Sequence, residues 1–280
     1  MDRCRGARAD RARRRPQGDP LNDLELAERA ARLGGDLLLE RFHGPLKEVH
    51  SKSTVTDLVS EADTASEAAI KRLLADERPD DGLLAEEGSA HDSASGRRWV
   101  VDPLDGTVNY LYRLPAWCVS IALEDEQGSA VAVVHDPLRD ETFTAERGAG
   151  ARLNGERIQV SGEDRPERAL IATGFSYSAD LRAAQAEVVT RVLPVFRDIR
   201  RAGAAALDLC DVACGRFDAF WELNLAPWDI AAGLLIIREA GGIVTDLSGA
   251  DARVGHGPIV ASSAALQPWF LATLQGEGIL

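Results

Sequence analysis

Trp99-Val100-Val101-Asp102-Pro103-Leu104-Asp105-Gly106-Thr107-Val108-Asn109 is the stretch on which the chain turns. An apolar run enters it and reads as a buried strand. Pro103 and Gly106 read as the turn that ends the strand. Asp102 and Asp105 stand three apart at that end. Like charges held so close cannot both stay ionised cheaply, and a divalent cation with oxygen ligands removes the conflict. A plain turn would also use Asp, Pro and Gly. The rest of the sequence decides between the two.

Four other acids sit in comparable places. Glu86 follows the short apolar run Leu83-Leu84-Ala85, and Glu222 ends the run from Phe217. Asp229 comes two residues after Pro227, near the start of a predicted helix, and Asp63 opens another. Strand ends and helix starts are where α/β proteins build sites. The five histidines show no H-x-x-x-H spacing, and the four cysteines (4, 118, 210, 214) show no C-x-x-C pair. A hard oxygen donor set of this kind points to Mg²⁺ or Mn²⁺ rather than zinc. Magnesium held by few carboxylates leaves positions for phosphate oxygens, the usual arrangement for phosphoryl transfer. No Walker A loop occurs, so a nucleoside triphosphate is not expected.

The 280 residues carry a net charge of -13, with 45% hydrophobic and 28% charged residues. That balance argues against general nucleic-acid binding, which needs a basic face. No run of 18 apolar residues marks a membrane span. The first 20 residues differ: seven arginines against three aspartates leave them at net +4. They read as a disordered basic tail with no apolar signal core. Few cysteines and no signal fit a cytoplasmic protein.

The element order is two helices (22–42 and one opening at Asp63-Thr64), then mostly sheet, with strands at 83–85, 117–125, 129–136 and 141–145. Residues 89–97 read as a loop. Alternation follows: strand 170–173, helix 181–196, strand 197–200, helix 204–214, strand 217–222, helix 227–240, strand 243–246, strand 258–261 and helix 264–275. The fold class is α/β, an α+β half (21–160) against an α/β half (161–280) that completes the site, the two forming one compact unit.

At this point the residues resemble a family. Asp57-Leu58-Val59-Ser60-Glu61-Ala62-Asp63, Leu84-Ala85-Glu86-Glu87-Gly88, Trp99 to Asn109, and Trp228-Asp229-Ile230-Ala231-Ala232-Gly233 resemble four motifs of the inositol monophosphatase family of Mg²⁺-dependent, lithium-sensitive phosphatases. Thr173 to Tyr177 and Arg200 to Leu209 look most like its bacterial inositol-1-monophosphatases. The resemblance implies a layered α-β-α-β-α sandwich, usually a homodimer, with two or three Mg²⁺ per site. It implies metal binding by Glu86, Asp102, the Leu104 carbonyl, Asp105 and Asp229. Asp63, Glu86 and Thr107 would serve catalysis through a metal-activated water. Gly106 and Thr107 would meet phosphate, and Gly203, Ala204, Ala205 and Glu222 the polyol. Leu104, Asp105, Glu86 and Asp229 would border the substrate as well, and Lys52 would lie near the site. Ala204 stands where relatives often carry Ser or Thr. The implied reaction is hydrolysis of myo-inositol 1-phosphate to myo-inositol and phosphate. Histidinol-phosphate or fructose-1,6-bisphosphate hydrolysis is the alternative within the family. A haloacid-dehalogenase-type aspartyl-phosphate mechanism would need acids two apart. A binding role toward RNA machinery is the reading from a different class, although nucleic acid is not the expected partner.

Overall fold

The computed structural model describes residues 21–44, 50–51, 58–59 and 61–276. The basic stretch 1–20, together with Lys52 and Asp57, lies outside the described residues.

Helix α1 (Asp23–Phe42) begins where Asn22 accepts the Glu25 N–H at 2.8 Å while the Glu25 carboxylate accepts the Asn22 N–H at 3.0 Å. This reciprocal cap satisfies two N–H groups the helix cannot. Its glycine pair allows close approach on both sides. A Cβ at Gly34 would stand 2.7 Å from Ser66 Oγ, and one at Gly35 2.8 Å from His135 Cδ2. A short antiparallel pair, β1 (His50–Ser51) and β2 (Leu58–Val59), precedes α2 (Glu61–Glu77).

Then follow β3 (Gly82–Ala85), β4 (Ala90–His91), β5 (Arg98–Asp105), α3 (Thr107–Leu111), β6 (Cys118–Asp125), β7 (Gly128–Asp136), β8 (Glu141–Glu146), β9 (Gly150–Leu153) and β10 (Glu156–Arg157). Eight of these strands form one sheet in the order β10-β9-β8-β7-β6-β5-β3-β4, in which only β3 and β5 run parallel. The remainder is β11 (Leu170–Thr173), α4 (Ala179–Val192), β12 (Asp198–Arg200), α5 (Ala205–Ala213), β13 (Ala219–Leu225), α6 (Pro227–Glu239), β14 (Ile243–Thr245), β15 (Gly257–Ser262) and α7 (Gln267–Gln275). These strands make a second sheet, β12-β11-β13-β15-β14, with β12, β11 and β13 parallel.

The layers follow from which residues each strand buries. Successive strand residues face opposite ways, so in β5 Trp99 and Val101 join a core with Leu26, Leu38 and Ile70 of α1 and α2. Val100 joins the core shared with Ile230 and Leu234 of α6 and Leu209 of α5. The second sheet's far face packs Ile171, Trp221 and Val260 against Val188 and Val192 of α4 and Phe270 of α7. The order is α1/α2, large sheet, α5/α6, small sheet, α4/α7. This is the α-β-α-β-α sandwich that the resemblance implied.

Three local expectations are corrected. Residues 89–97 are not all loop, because Ala90 and His91 pair with Leu84 and Leu83 as an edge strand. The strand through Glu222 does not stop there but runs to Leu225 after a register shift opposite β15. β5 does not end at Pro103. It continues to Asp105 through a bulge, Asp102 lying opposite Ser120 and Asp105 opposite Cys118. Three steps on β5 thus span two on β6. A bulge is where a strand tolerates a proline, which has no N–H for the ladder.

Candidate active site

The bulge makes the site. With strict alternation Asp102 and Asp105, three apart, would face opposite sides of the sheet. The extra residue restores them to one side, and both line a cleft of about 430 Å³ between the two sheets. Glu86 reaches it from the turn after β3, whose N–H bonds the Val101 carbonyl at 3.2 Å. Asp229 reaches it from the first turn of α6, where it also accepts the Ala226 N–H at 2.7 Å. Leu104, Gly106, Thr107, Gly203, Ala204, Ala205 and Glu222 line the same cleft. Asp63 does not. It is fully buried behind Thr107, whose hydroxyl lies 3.0 Å from Asp63 Oδ1 and 3.1 Å from the Leu104 carbonyl.

Asp105 has a structural partner that no local motif reveals. Its Oδ1 accepts the Ala205 N–H at 3.2 Å and its Oδ2 the Ala206 N–H at 2.7 Å. Helix α5 begins at Ala204, which offers no capping oxygen. Asp105 supplies the cap from a hundred residues upstream and places its charge at the positive end of the helix. Ala204 is therefore the N-cap position of α5 as well as a wall of the cleft. Gly106 has φ +93°, and a Cβ there would stand 2.7 Å from the Ala116 carbonyl, so the turn from β5 into α3 needs glycine. Asn109 fastens that turn by donating to the carbonyls of Ala116 at 2.7 Å and Ala202 at 2.8 Å.

The acids raise one another's pKa. Burial, then Glu86, Asp105 and Asp229, hold Asp102 well above the ordinary carboxyl value, and Glu86 and Asp102 share a hydrogen bond. Burial also lifts Asp105, to about 6, against the bonds from Ala206 and Ala205. Asp229 is raised well above normal by burial and then by Asp105. Glu222, on the opposite wall, is raised to about 7 by burial, with Arg201 opposing and Asp105 adding to the rise. Among the described lining residues Arg201 is the only Lys or Arg.

Among the described residues no three His, Cys, Asp or Glu side chains close round one point as a metal-holding group. Asp102, Asp105 and Asp229 are each drawn to a backbone N–H: Leu104 at 3.0 Å for Asp102, Ala205 and Ala206 for Asp105, Ala226 for Asp229. The donor chemistry nonetheless fits a hard divalent cation. All the donors are oxygen, four carboxylates share one cleft, and their mutual repulsion is what a cation would relieve.

Sequence reasoning missed two charged residues of the cleft. Arg201 is exposed at its rim. Asp208, one turn into α5, is buried with Oδ1 lacking a hydrogen-bond partner, and burial followed by Asp105 holds its carboxyl well above normal. Both lie in the Arg200–Leu209 segment already singled out, but neither has a local spacing that marks it. Among the described residues no helix is long and apolar enough to cross a membrane, and Cys118, Cys210 and Cys214 are free thiols.

Comparison with known proteins agrees with this architecture. Nus factor SuhB of Escherichia coli (strain K12) is 41% identical over 256 residues, covering 91% of this chain and 96% of that one. A crystal structure of extragenic suppressor protein suhB from Bartonella henselae superposes with a TM-score of 0.85 at 39% identity, covering 91% of this chain and 98% of that chain. A structure described as an IMPase/NADP phosphatase complexed with Mg²⁺ and phosphate gives a TM-score of 0.76 at 27% identity, covering 87% of this chain and 91% of that chain. The profile of the inositol monophosphatase family matches residues 19–278, and the chain belongs to that family.

Proposed function

We propose that the chain is a Mg²⁺-dependent phosphomonoesterase acting on a small phosphorylated polyol, with myo-inositol 1-phosphate as substrate. The observation that carries the reading is the convergence of Glu86, Asp102, Asp105 and Asp229, from three separate segments, on one cleft that Glu222 faces. Glu86, Asp102, the Leu104 carbonyl, Asp105 and Asp229 would hold two or three Mg²⁺, with Mn²⁺ able to substitute. When bound, such cations supply Lewis acidity toward phosphoryl oxygens and lower the pKa of a water.

The chain's own groups do the rest. The Thr107 hydroxyl, backed by Asp63, orients the attacking water. The N–H groups of Gly106 and Thr107 donate to the phosphate. Glu222 accepts hydrogen bonds from the polyol hydroxyls, and Gly203, Ala204 and Ala205 border the ring. Water attacks phosphorus in line, the ester P–O bond breaks, and the leaving alkoxide takes up a proton. A phosphate-release panel with inositol 1-phosphate, histidinol phosphate and fructose 1,6-bisphosphate tests this, each with Mg²⁺ and with EDTA. Turnover of inositol 1-phosphate that EDTA abolishes supports the reading. Faster turnover of either competitor moves the substrate assignment, and no turnover of any refutes it.

The name of the E. coli relative favours a second reading, in which the protein acts on RNA machinery. An RNA-binding assay on the full chain and on a chain lacking residues 1–20 tests it, since those residues carry the basic charge. Background binding by both would end it. A homodimer is proposed as the working form, and light scattering coupled to gel filtration would read its mass.

A further inference from the structure

One face of α2 holds three pieces of the site at once. Asp63, Ser66 and Glu67 are spaced i, i+3 and i+4, so they project from the same side of the helix. Asp63 meets the Thr107 hydroxyl at 3.0 Å. Ser66 Oγ donates to the Pro103 carbonyl, inside the β5 bulge, at 3.0 Å. Glu67 accepts the N–H of Glu87 at 2.8 Å on Oε2 and the N–H of Ser89 at 3.2 Å on Oε1.

The third contact is the unexplained one. Glu67 is 5% exposed. A buried carboxylate is costly unless hydrogen-bonded, and an apolar residue would pack this helix face at less cost. Both oxygens accept backbone N–H groups of the turn that follows Glu86. The turn's own backbone bonds Ala85 N–H to the Ser89 carbonyl at 2.9 Å, with Gly88 at φ +98°, and Lys71 of α2 donates to Ser89 Oγ at 3.3 Å. Glu86 itself is tied to β5 through the Val101 carbonyl. The Glu67 carboxylate takes the two N–H groups flanking Gly88 and so fixes the path of the chain as it leaves Glu86.

We propose that Glu67 is a positioning residue that sets where the Glu86 carboxylate stands relative to Asp102. It does so because its helix grips the β5 bulge and the Glu86 turn with the same face. The inference rests on the reading of Glu86 and Asp102 as metal ligands. Glu67 touches no substrate and no reacting atom.

The test is Mn²⁺ binding to the purified full chain, read by isothermal titration calorimetry and by the electron paramagnetic resonance of free Mn²⁺. Glu67→Gln keeps the shape but puts an amide donor against one of the two N–H groups. Glu67→Asp keeps the charge and shortens the reach, which guards against a variant that does not fold. Near-UV circular dichroism checks both. Each is expected to weaken Mn²⁺ binding about tenfold, the scale seen when a partner of a metal ligand is removed. Combined with Glu86→Ala, Glu67→Gln is expected to add nothing further, because it acts through Glu86. Wild-type affinity in both folded Glu67 variants, with Glu86→Ala weakened, would overturn the role of Glu67 and leave the metal site standing. Full additivity in the double variant would also overturn it. If Glu86→Ala bound Mn²⁺ as the wild type does, the ligand role of Glu86 would fall, and this inference with it.

Discussion

Replacing Glu222 by Gln should stabilise the protein at pH 8 and leave its stability almost unchanged at pH 4. Glu222 is buried in the wall of the cleft, where its pKa rises from 4.5 to about 7. Burial is the main cause. Arg201 opposes it, but Arg201 is exposed and its attraction is screened. An acid whose folded pKa lies above its unfolded value disfavours folding once the unfolded chain is ionised. Below pH 4.5 both states are protonated and nothing is lost. Between 4.5 and 7 the unfolded chain loses its proton first, so wild-type stability falls. Above 7 the full difference applies, about 3 kcal/mol for a rise of this size. Gln cannot ionise and removes that slope. The assay is urea unfolding of both proteins in EDTA at pH 4, 6 and 8, with the slope against urea required to match so that only stability has changed. The variant should lead by about 3 kcal/mol at pH 8 and by little at pH 4. Parallel pH profiles for the two proteins would refute the reasoning, because Glu222 would then ionise as easily in the fold as outside it. The stabilised variant should also lose discrimination among polyol phosphates if Glu222 reads their hydroxyls.

Three further outcomes follow from contacts elsewhere. Asp102→Asn should abolish Mg²⁺-dependent phosphate release while its urea midpoint in EDTA stays at or above wild type, since one member of a repelling acid cluster has gone. Gly174→Ala would drive its Cβ into the Glu222 carboxylate, so KM for the polyol phosphate should rise roughly tenfold, the value of a charged hydrogen bond, with Mn²⁺ affinity unchanged by calorimetry. Asp81 accepts the buried Trp99 indole N–H at 3.1 Å and binds Arg97 through both oxygens, at 3.2 and 2.8 Å. Asp81→Ala should therefore cost about 3 kcal/mol in urea unfolding, mostly from the stranded indole donor and the broken ion pair; Arg97 keeps Asp23 at 2.6 Å.

Much of this molecule could be read from local pattern. Helix α1 was legible because its apolar residues recur with helical period after a capping residue, Asn22 or Asp23. The large-sheet meander was legible from apolar runs broken at Gly128 and Pro137. The acids could be gathered because each stands beside a strand end or helix start. What the sequence hid depends on partners distant in the chain. That Asp102 and Asp105 share a face follows from the register against Ser120 and Cys118, which no reading of β5 alone contains. That Asp105 caps α5 follows from how the second sheet docks. β4 was missed because two exposed residues carry no apolar alternation, and they are held by pairing with Leu83 and Leu84. Strand β13 looked finished at Glu222 because Glu222 and Asn224 are polar, yet the register shift carries it on to Leu225.

The placement of the acids also gives a reason for the aromatic cluster packed beside them. Gathering ionisable groups in one cleft works against folding, as the raised values at Asp102, Asp105, Asp229 and Glu222 show. Such a site persists only if its surroundings over-determine it. Immediately after Thr107 the chain inserts Tyr110 and then Trp117, both fully buried, with ring centroids 5.1 Å apart and each about 5 Å from Phe42 at the end of α1. The Tyr110 hydroxyl donates to the Leu38 carbonyl at 2.8 Å, so the ring is fixed at both ends. Asn109, immediately before Tyr110, ties the turn to Ala116 and Ala202. α3 is only five residues long and could not hold its own shape. It is held because aromatic packing and these bonds close the segment 107–117 on itself. Gly106 and Thr107 thereby become the start of a fixed element rather than the tip of a loop. That rigidity lets a positive-φ glycine turn and a repelling set of acids face one cleft without the chain relaxing away from them.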